Sequence, residues 1–331
     1  MILLERNAME RITIIVPCFN EQEAVNQFFA EVSIALMGTS DCEFEYLFIN
    51  DGSTDDTLLQ LQELANREPS VNYLSLSRNF GKEAAMMAGL DYAEGDAVII
   101  MDADLQHPPD LIPEMIRWWH KGYDDICAKR TNRDDEPWFK RHMANLFYRS
   151  LQAVSSFRVQ RDVGDFRLLD KRCVMALRLM RESQRFTKGM FTWVGYRKKE
   201  LPFHVRPRTV GTTTWSYPAL FNLAVEGLTS FTTAPLRLTT MLGIFVSMVA
   251  MFYMCWVLFN TLCYGDPVAG YPTLMTVMLF LGGVQLFSLG IIGEYLGRVF
   301  TESKHRPIYL VDEYNGEKMM PYRPEPKPYN R

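Results

Sequence analysis

The sequence predicts an α/β domain built on a mostly parallel sheet, followed by a helix in the membrane interface and two membrane-spanning helices. Three observations predict it. Short β-branched runs alternate with helical stretches from residue 12 onward, each run ends in a cluster of polar residues, and two long stretches near the C-terminus carry no charge.

The strand candidates are Ile12–Val16, Phe44–Ile49, Val71–Leu76 and Ala97–Met101, separated by segments long enough for crossover helices. In such sheets ligands bind beyond the carboxyl ends of the strands, so chemistry is expected just after each run. The first run delivers Pro17, Cys18, Phe19, Asn20 and Glu21; the second delivers Asn50-Asp51-Gly52-Ser53-Thr54-Asp55. The third ends in Ser77-Arg78-Asn79-Phe80-Gly81-Lys82 and the fourth in Asp102-Ala103-Asp104-Leu105-Gln106. One rim therefore offers carboxylates for a base or ribose hydroxyl, cations for phosphate and hard oxygens for a divalent ion, the parts a nucleotide-sugar site needs.

Asp102, Asp104 and Gln106 alternate, so an extended chain past the strand would lean two carboxylates and one amide oxygen to the same side, which suits Mg²⁺ or Mn²⁺. The alternative is that these aspartates cap a helix opening near Pro109. Asn50-Asp51-Gly52-Ser53 reads as a turn leading into an N-cap, which is compatible with a binding role. Arg78 and Lys82 flank Gly81, where backbone N–H groups can approach an anion; a solvated pair of loop charges is the other reading.

Between Arg237 and Asp266 no residue is charged, and after Pro267 none is until Glu294. Each stretch exceeds the roughly 20 residues needed to cross hydrocarbon, giving expected spans at about 238–263 and 270–293. Arg237 precedes the first, Arg298, Lys304 and Arg306 follow the second, and the connection Cys263–Pro267 has no Lys or Arg, so both ends face the cytoplasm. Gly282, Gly283, Gly290, Gly293 and Gly297 permit close helix approach along the second span. Upstream, Tyr217–Phe231 is apolar apart from Glu226 and stops at Pro235; it reads either as an interfacial helix or as a helix over the soluble core. The expected organisation is an extension at 1–11, a catalytic domain at 12–215, an interfacial helix at 216–234, a hairpin at 235–298 and a cytoplasmic tail at 299–331.

Composition excludes other classes. At 331 residues, 48% hydrophobic and 22% charged, the chain can hold one large domain and an appendage. A net charge of −4 gives no global case for nucleic acid as a partner. Cysteines at 18, 42, 127, 173, 255 and 263 have no metal spacing and read as structural thiols. The N-terminus reaches Glu5 after three apolar residues, too few for a secretory signal.

Taken together these residues resemble glycosyltransferase family 2 with the GT-A fold, in its polyprenyl-phosphate branch. The resemblance runs from about Ile12 to Pro307 and rests on five ordered motifs: Phe48-Ile-Asn-Asp-Gly-Ser53, Arg78-Asn-Phe-Gly-Lys-Glu83, Asp102-Ala-Asp-Leu-Gln106, Gly164-Asp-Phe-Arg-Leu168 and Gly293-Glu-Tyr-Leu-Gly-Arg298. It implies a nucleotide pocket lined by Pro17, Asn20, Glu21, Asp51, Lys82 and Asp102, with Asp104 and Gln106 holding metal near the diphosphate. It also implies Asp165 beside the acceptor and Arg167 steering a phosphate, with Asp104, Asp165 and Arg167 as the catalytic set. The sequence departs from the family where His107-Pro108-Pro109 follows Gln106; His107 is either an additional ligand or a loop histidine.

The expected reaction is inverting transfer of a hexose, glucose from UDP-glucose by resemblance, to polyprenyl phosphate at the inner membrane of a bacterium, as part of O-antigen or related cell-envelope modification. A phosphate acceptor is already anionic, so it needs less help from a base than a sugar hydroxyl does. Basic residues before the interfacial helix, with Arg130, Arg206 and Arg208 as the candidates, would receive its phosphate. A homotetramer and a downstream flippase are expected from the family. GDP-mannose or UDP-N-acetylglucosamine are alternative donors, and a catalytically silent nucleotide-sugar-binding scaffold is the alternative class. A processive synthase is disfavoured by the lack of Q-x-x-R-W, a dehydrogenase by the lack of G-x-G-x-x-G after the first strand, and a kinase by the lack of its phosphate loop.

Overall fold

The computed structural model describes residues 9–39, 41–131, 163–182, 185, 187–203, 234–264 and 270–320. Arg206, Arg208 and the expected interfacial helix at 216–234, apart from its last residue, lie outside the described residues. The chain forms two compact units, Met1–Ala219 together with Arg306–Arg331, and Leu220–His305.

The first unit is organised by one sheet. Its central strands are β1 (Glu10–Cys18), β2 (Cys42–Asn50), β3 (Val71–Leu76) and β4 (Ala97–Ile100), which include the four apolar runs. β5 (Asp125–Arg130), β6 (Val163–Asp170), β7 (Lys198–Phe203), β8 (Val311–Tyr314) and β9 (Glu317–Lys318) complete the order β7-β5-β6-β4-β1-β2-β3-β8-β9. β3, β2, β1 and β4 are mutually parallel, and β6 runs antiparallel between β4 and β5. The strand order reverses at β1, whose neighbours are β2 and β4, and this reversal opens a crevice at the carboxyl ends of the strands.

Helices α1 (Ala24–Leu36), α2 (Thr57–Arg67), α3 (Lys82–Tyr92) and α4 (Ile112–His120) lie in the crossovers. Alternation decides what each strand buries: Ile12, Ile14 and Val16 of β1 share a core with Phe48 of β2 and with Val25, Phe28 and Val32 of α1. The Phe28 and Phe48 rings meet edge to face at 5.9 Å. α5 (Lys171–Leu179) and α6 (Thr187–Trp193) follow β6, and the Asp170 side chain caps α5 by accepting the N–H of Arg172.

The second unit holds α7 (Ala234–Tyr264, 31 residues) and α8 (Tyr271–Ser303, 33 residues). Among the described residues one segment, Phe280–Ser303, is long and apolar enough to cross a membrane; Met241–Tyr253 on α7 is a shorter apolar stretch. The sequence predicts two spans, with the second ending at 293. The qualifying segment instead runs on through Glu294 and Arg298, which pair one helical turn apart at 3.0 Å.

The expected tail at 299–331 needs correction. α8 continues to Ser303, and the chain then rejoins the first unit, where β8 pairs antiparallel with β3. Asn315 (φ 48°) and Gly316 (φ 85°) form the two-residue turn between β8 and β9. Glu313 accepts hydrogen bonds from Tyr73 and from Gln62, which fixes the new edge strand to β3 and α2.

Candidate active site

The loop after β1 is fastened to the loop after β2 before any ligand arrives. Asn20, with φ at 56°, donates its N–H to Ser53 Oγ at 3.0 Å and accepts the N–H of Thr54 at 2.9 Å. The N–H of Glu21 reaches Thr57 Oγ1 at 2.8 Å. Asn50 joins β2 to β3, donating to Ser75 Oγ at 2.9 Å.

Asp51 performs the equivalent task for the next loop. Its carboxylate accepts the N–H groups of Phe80 (2.8 Å) and Gly81 (2.9 Å), which shape the turn from β3 into α3. Burial pushes the Asp51 carboxyl above its usual range, while those two N–H groups and Arg78 pull it down. Gly52 is required beside it: its φ is 62°, and a Cβ there would stand 2.3 Å from the carbonyl carbon of Arg78.

With the loops set, Lys82 opens α3 and points at the neighbouring strands. The register of β4 against β6 pairs Ile100 with Arg167, so Asp102, two residues on, comes level with Asp165, two residues back. Lys82 Nζ sits between them, 2.7 Å from Asp102 Oδ1 and 2.7 Å from Asp165 Oδ2. Burial works against its charge, but the two carboxylates outweigh burial and hold the ammonium well above its ordinary range.

Around this triad lies a cleft of about 280 Å³ whose walls include Pro17, Phe19, Glu21, Asp51, Lys82, Asp102 and Asp104. Six residues singled out from the sequence thus share one cavity: Pro17, Glu21, Asp51, Lys82, Asp102 and Asp104. Asp165 adjoins it through Lys82. Asn20 is exposed and holds the two loops together, and Arg130, half-buried at the end of β5, lies two strands from β4.

Two expectations are corrected here. The extended run from Asp102 to Gln106 does not persist: the chain turns at Ala103–Asp104 and Leu105 takes φ 55°. Gln106 uses its N–H on Asp104 Oδ1 at 3.2 Å, and the turn brings His107 to the two aspartates, with ligand atoms of all three within 4.8 Å of one another. Arg167 does not face the rim. Its guanidinium is buried, 3.2 Å from Asp125 Oδ2 and 3.6 Å from the centre of the Phe191 ring, and it donates to the Gly164 carbonyl at 3.0 Å.

The donor set of Asp102, Asp104 and His107 suits a divalent cation. His107 Nδ1 is buried with no hydrogen-bond partner among the described residues, and the ring packs beside Phe166 and Phe203. Burial pushes the imidazole below its ordinary value against the pull of Asp102 and Asp104, so at neutral pH it is uncharged with a lone pair to offer. Glu83 is a further residue at the site that the sequence reading quoted only as part of a motif. Half-buried near Asp165, its carboxyl is pushed up to about 7 by desolvation and by that neighbouring charge, and it accepts the N–H of Thr187 at 3.1 Å.

Comparison with known proteins gives two family matches: Glycosyl transferase family 2 over residues 13–178, and the GtrB C-terminal hairpin over residues 234–299. The chain is 43% identical over 301 residues to the bactoprenol glucosyl transferase of Shigella phage SfV, covering 91% of this chain and 98% of that protein. It is 42% identical over 311 residues to the putative glycosyltransferase CsbB of Bacillus subtilis, covering 92% of each. Among solved structures, the mannosyltransferase PcManGT of Pyrobaculum calidifontis, in complex with GDP-Man and Mn²⁺, matches 86% of this chain and 88% of its own at 16% identity and a TM-score of 0.45.

Proposed function

The chain belongs to glycosyltransferase family 2 and is a glycosyltransferase; from that premise we propose that it transfers glucose from UDP-glucose to a polyprenyl phosphate, with inversion at the anomeric carbon. The observation that carries this reading is the cleft itself, where Lys82 is held between Asp102 and Asp165 beside Asp104. The acceptor class rests on relatives that are named bactoprenol glucosyl transferases and align along almost their whole length.

In this reading Pro17, Glu21 and Asp51 shape the wall that receives the nucleotide, with Asn20 keeping the two loops in register. Mg²⁺ or Mn²⁺ held by Asp102, Asp104 and His107 would neutralise charge on the departing nucleoside diphosphate. Gln106 remains a candidate contact beside that ion through its amide oxygen. Lys82 adds a fixed cation on the donor side, and a preorganised charge needs no reorganisation as the glycosidic bond breaks. Asp165, on the opposite side of Lys82, fixes the direction of that ammonium and through it orients the acceptor phosphate, whose own anionic oxygen attacks the anomeric carbon in line. Arg130, Arg206 and Arg208 are the cations proposed to draw the headgroup in.

Membrane attachment is supported by the relatives named bactoprenol glucosyl transferases and by the apolar segment Phe280–Ser303. α7, whose 31 residues reach about 46 Å at 1.5 Å each, is long enough to serve as a second crossing. A two-span anchor with the catalytic unit on the cytoplasmic side is the arrangement we infer.

The test is to incubate the purified full chain with polyprenyl phosphate, Mg²⁺ or Mn²⁺ and a panel of nucleotide sugars, and to read lipid-linked product by mass spectrometry. Product from UDP-glucose is expected. Product from another donor would change the sugar alone, and no lipid-linked product from any donor would overturn the proposal.

A further inference from the structure

Glu83 stands one residue past Lys82, in the first turn of α3, yet it faces away from the cleft wall toward the segment that enters α6. Its Oε2 accepts the N–H of Thr187 at 3.1 Å, and the charges around it are Asp165 of β6, Lys82 of α3 and Arg185 just before α6. Arg185 is 8% exposed and Thr187 is 2% exposed. Arg185 donates from Nη1 to the Met180 carbonyl at 2.7 Å, whereas its Nε and the Thr187 hydroxyl are buried and have no partner among the described residues. Two donors without a partner among the described residues, one on a buried cation and one on a buried hydroxyl, flank the Glu83 carboxylate, which itself feels the charge of Asp165.

We propose that Glu83 is a positioning residue for the acceptor phosphate: its carboxylate ties Thr187, and with it the neighbouring Arg185, to the start of α3 one residue from Lys82, so that both cations would be offered to the phosphate beside Asp165. The inference rests on the transferase reading above and adds a residue and a charge argument to it. An ionised Glu83 would add a negative charge to those of Asp102 and Asp165 around Lys82 and would disfavour a phosphate monoester there. Burial and the neighbouring Asp165 keep Glu83 protonated up to about 7, which removes one of those negative charges while the carbonyl oxygen still holds Thr187. Acceptor affinity should therefore weaken as pH rises through that value.

The experiment measures initial rates against polyprenyl phosphate for the full-length wild type, Glu83→Gln and Glu83→Ala between about pH 6 and about pH 8, with binding of UDP measured in parallel. The second ionisation of the acceptor is common to all three proteins and cancels in the comparison. Glu83→Gln keeps an oxygen for Thr187 and is expected to retain a low acceptor KM while losing the rise that the wild type shows above about 7. Glu83→Ala removes the oxygen that holds Thr187 and is expected to raise acceptor KM about tenfold below about pH 7 with UDP binding unchanged, the size of one lost hydrogen bond. Wild-type KM and pH profile in both variants would overturn the inference, as would equal failure of both variants accompanied by loss of UDP binding. Absence of lipid-linked product in the wild type would instead overturn the function on which it rests, and is seen before any variant is compared.

Discussion

Lys82 Nζ lies 2.7 Å from Asp165 Oδ2, joining the first residue of α3 to the third residue of β6. The same ammonium is 2.7 Å from Asp102 Oδ1, so one cation separates two carboxylates that the β4–β6 register brings level. Without it, two like charges would face each other with no cation between them.

Lys82→Met should therefore remove both the cation offered to the donor and the screen between Asp102 and Asp165. Transfer is expected to fall at least about a hundredfold, the scale of losing one preorganised charge at a reacting centre. Initial rates under saturating donor and acceptor check this, and a wild-type rate would place the leaving diphosphate elsewhere.

Asp104→Asn should weaken the metal dependence before it weakens the fold, because Asp104 sits on a turn at the rim of the cleft. The half-saturating Mg²⁺ or Mn²⁺ concentration is expected to rise at least about tenfold. His107→Phe should shift it in the same direction, since the ring packs between Phe166 and Phe203 and only its nitrogens are lost. Superimposable metal titrations for wild type and both variants would remove these residues from the ion.

Asp125→Ala should unfold the soluble unit more readily without touching the cleft. Asp125 is fully buried against Arg167, which is 1% exposed, and also pairs with Lys198 at 3.4 Å; its removal deprives both cations of that partner, with the Gly164 carbonyl and the Phe191 ring still beside the guanidinium. Breaking such a pair costs about 3–5 kcal/mol. Denaturant unfolding of the two proteins decides it, and a difference within about 0.5 kcal/mol would mean that water reaches Arg167.

The central strands and the cleft were legible in the sequence because a parallel strand buried on both faces is a continuous apolar run, and the polar residues that follow it must lie on one rim. What failed was local geometry beyond the strand ends. Alternation at Asp102, Asp104 and Gln106 assumes an extended chain, and a left-handed Leu105 breaks that assumption in one residue. Arg167 was misplaced because a motif gives spacing but not burial, and only the pairing across β5 shows that Asp125 claims it. The C-terminal strand did leave a signal: Asn315-Gly316 between Tyr314 and Glu317 is the commonest short hairpin turn, overlooked because the segment follows the apolar stretches and reads as a tail.

That hairpin gives the last prediction. Tyr309 donates to Asp91 Oδ2 at 2.7 Å, and Arg181 grips the same carboxylate at 2.6 and 2.9 Å, so the chain returning from α8 is fastened to the end of α3 before β8 begins. Burial and Asp91 hold the Tyr309 phenol far above its ordinary range, which keeps it a donor at any working pH. Gly316→Val places a β-branched residue at φ 85° and should cost about 1–3 kcal/mol at the turn. Because β8 joins only the β3 edge, while Asp102, Asp104 and Asp165 stand on the β4 and β6 side, the edge should open alone. Protease cleavage within 306–320 is therefore expected to rise in this variant while UDP binding holds. Unchanged protection would mean that the Tyr309–Asp91 contact secures the strand without its turn, and Tyr309→Phe combined with Gly316→Val would then be needed to release it.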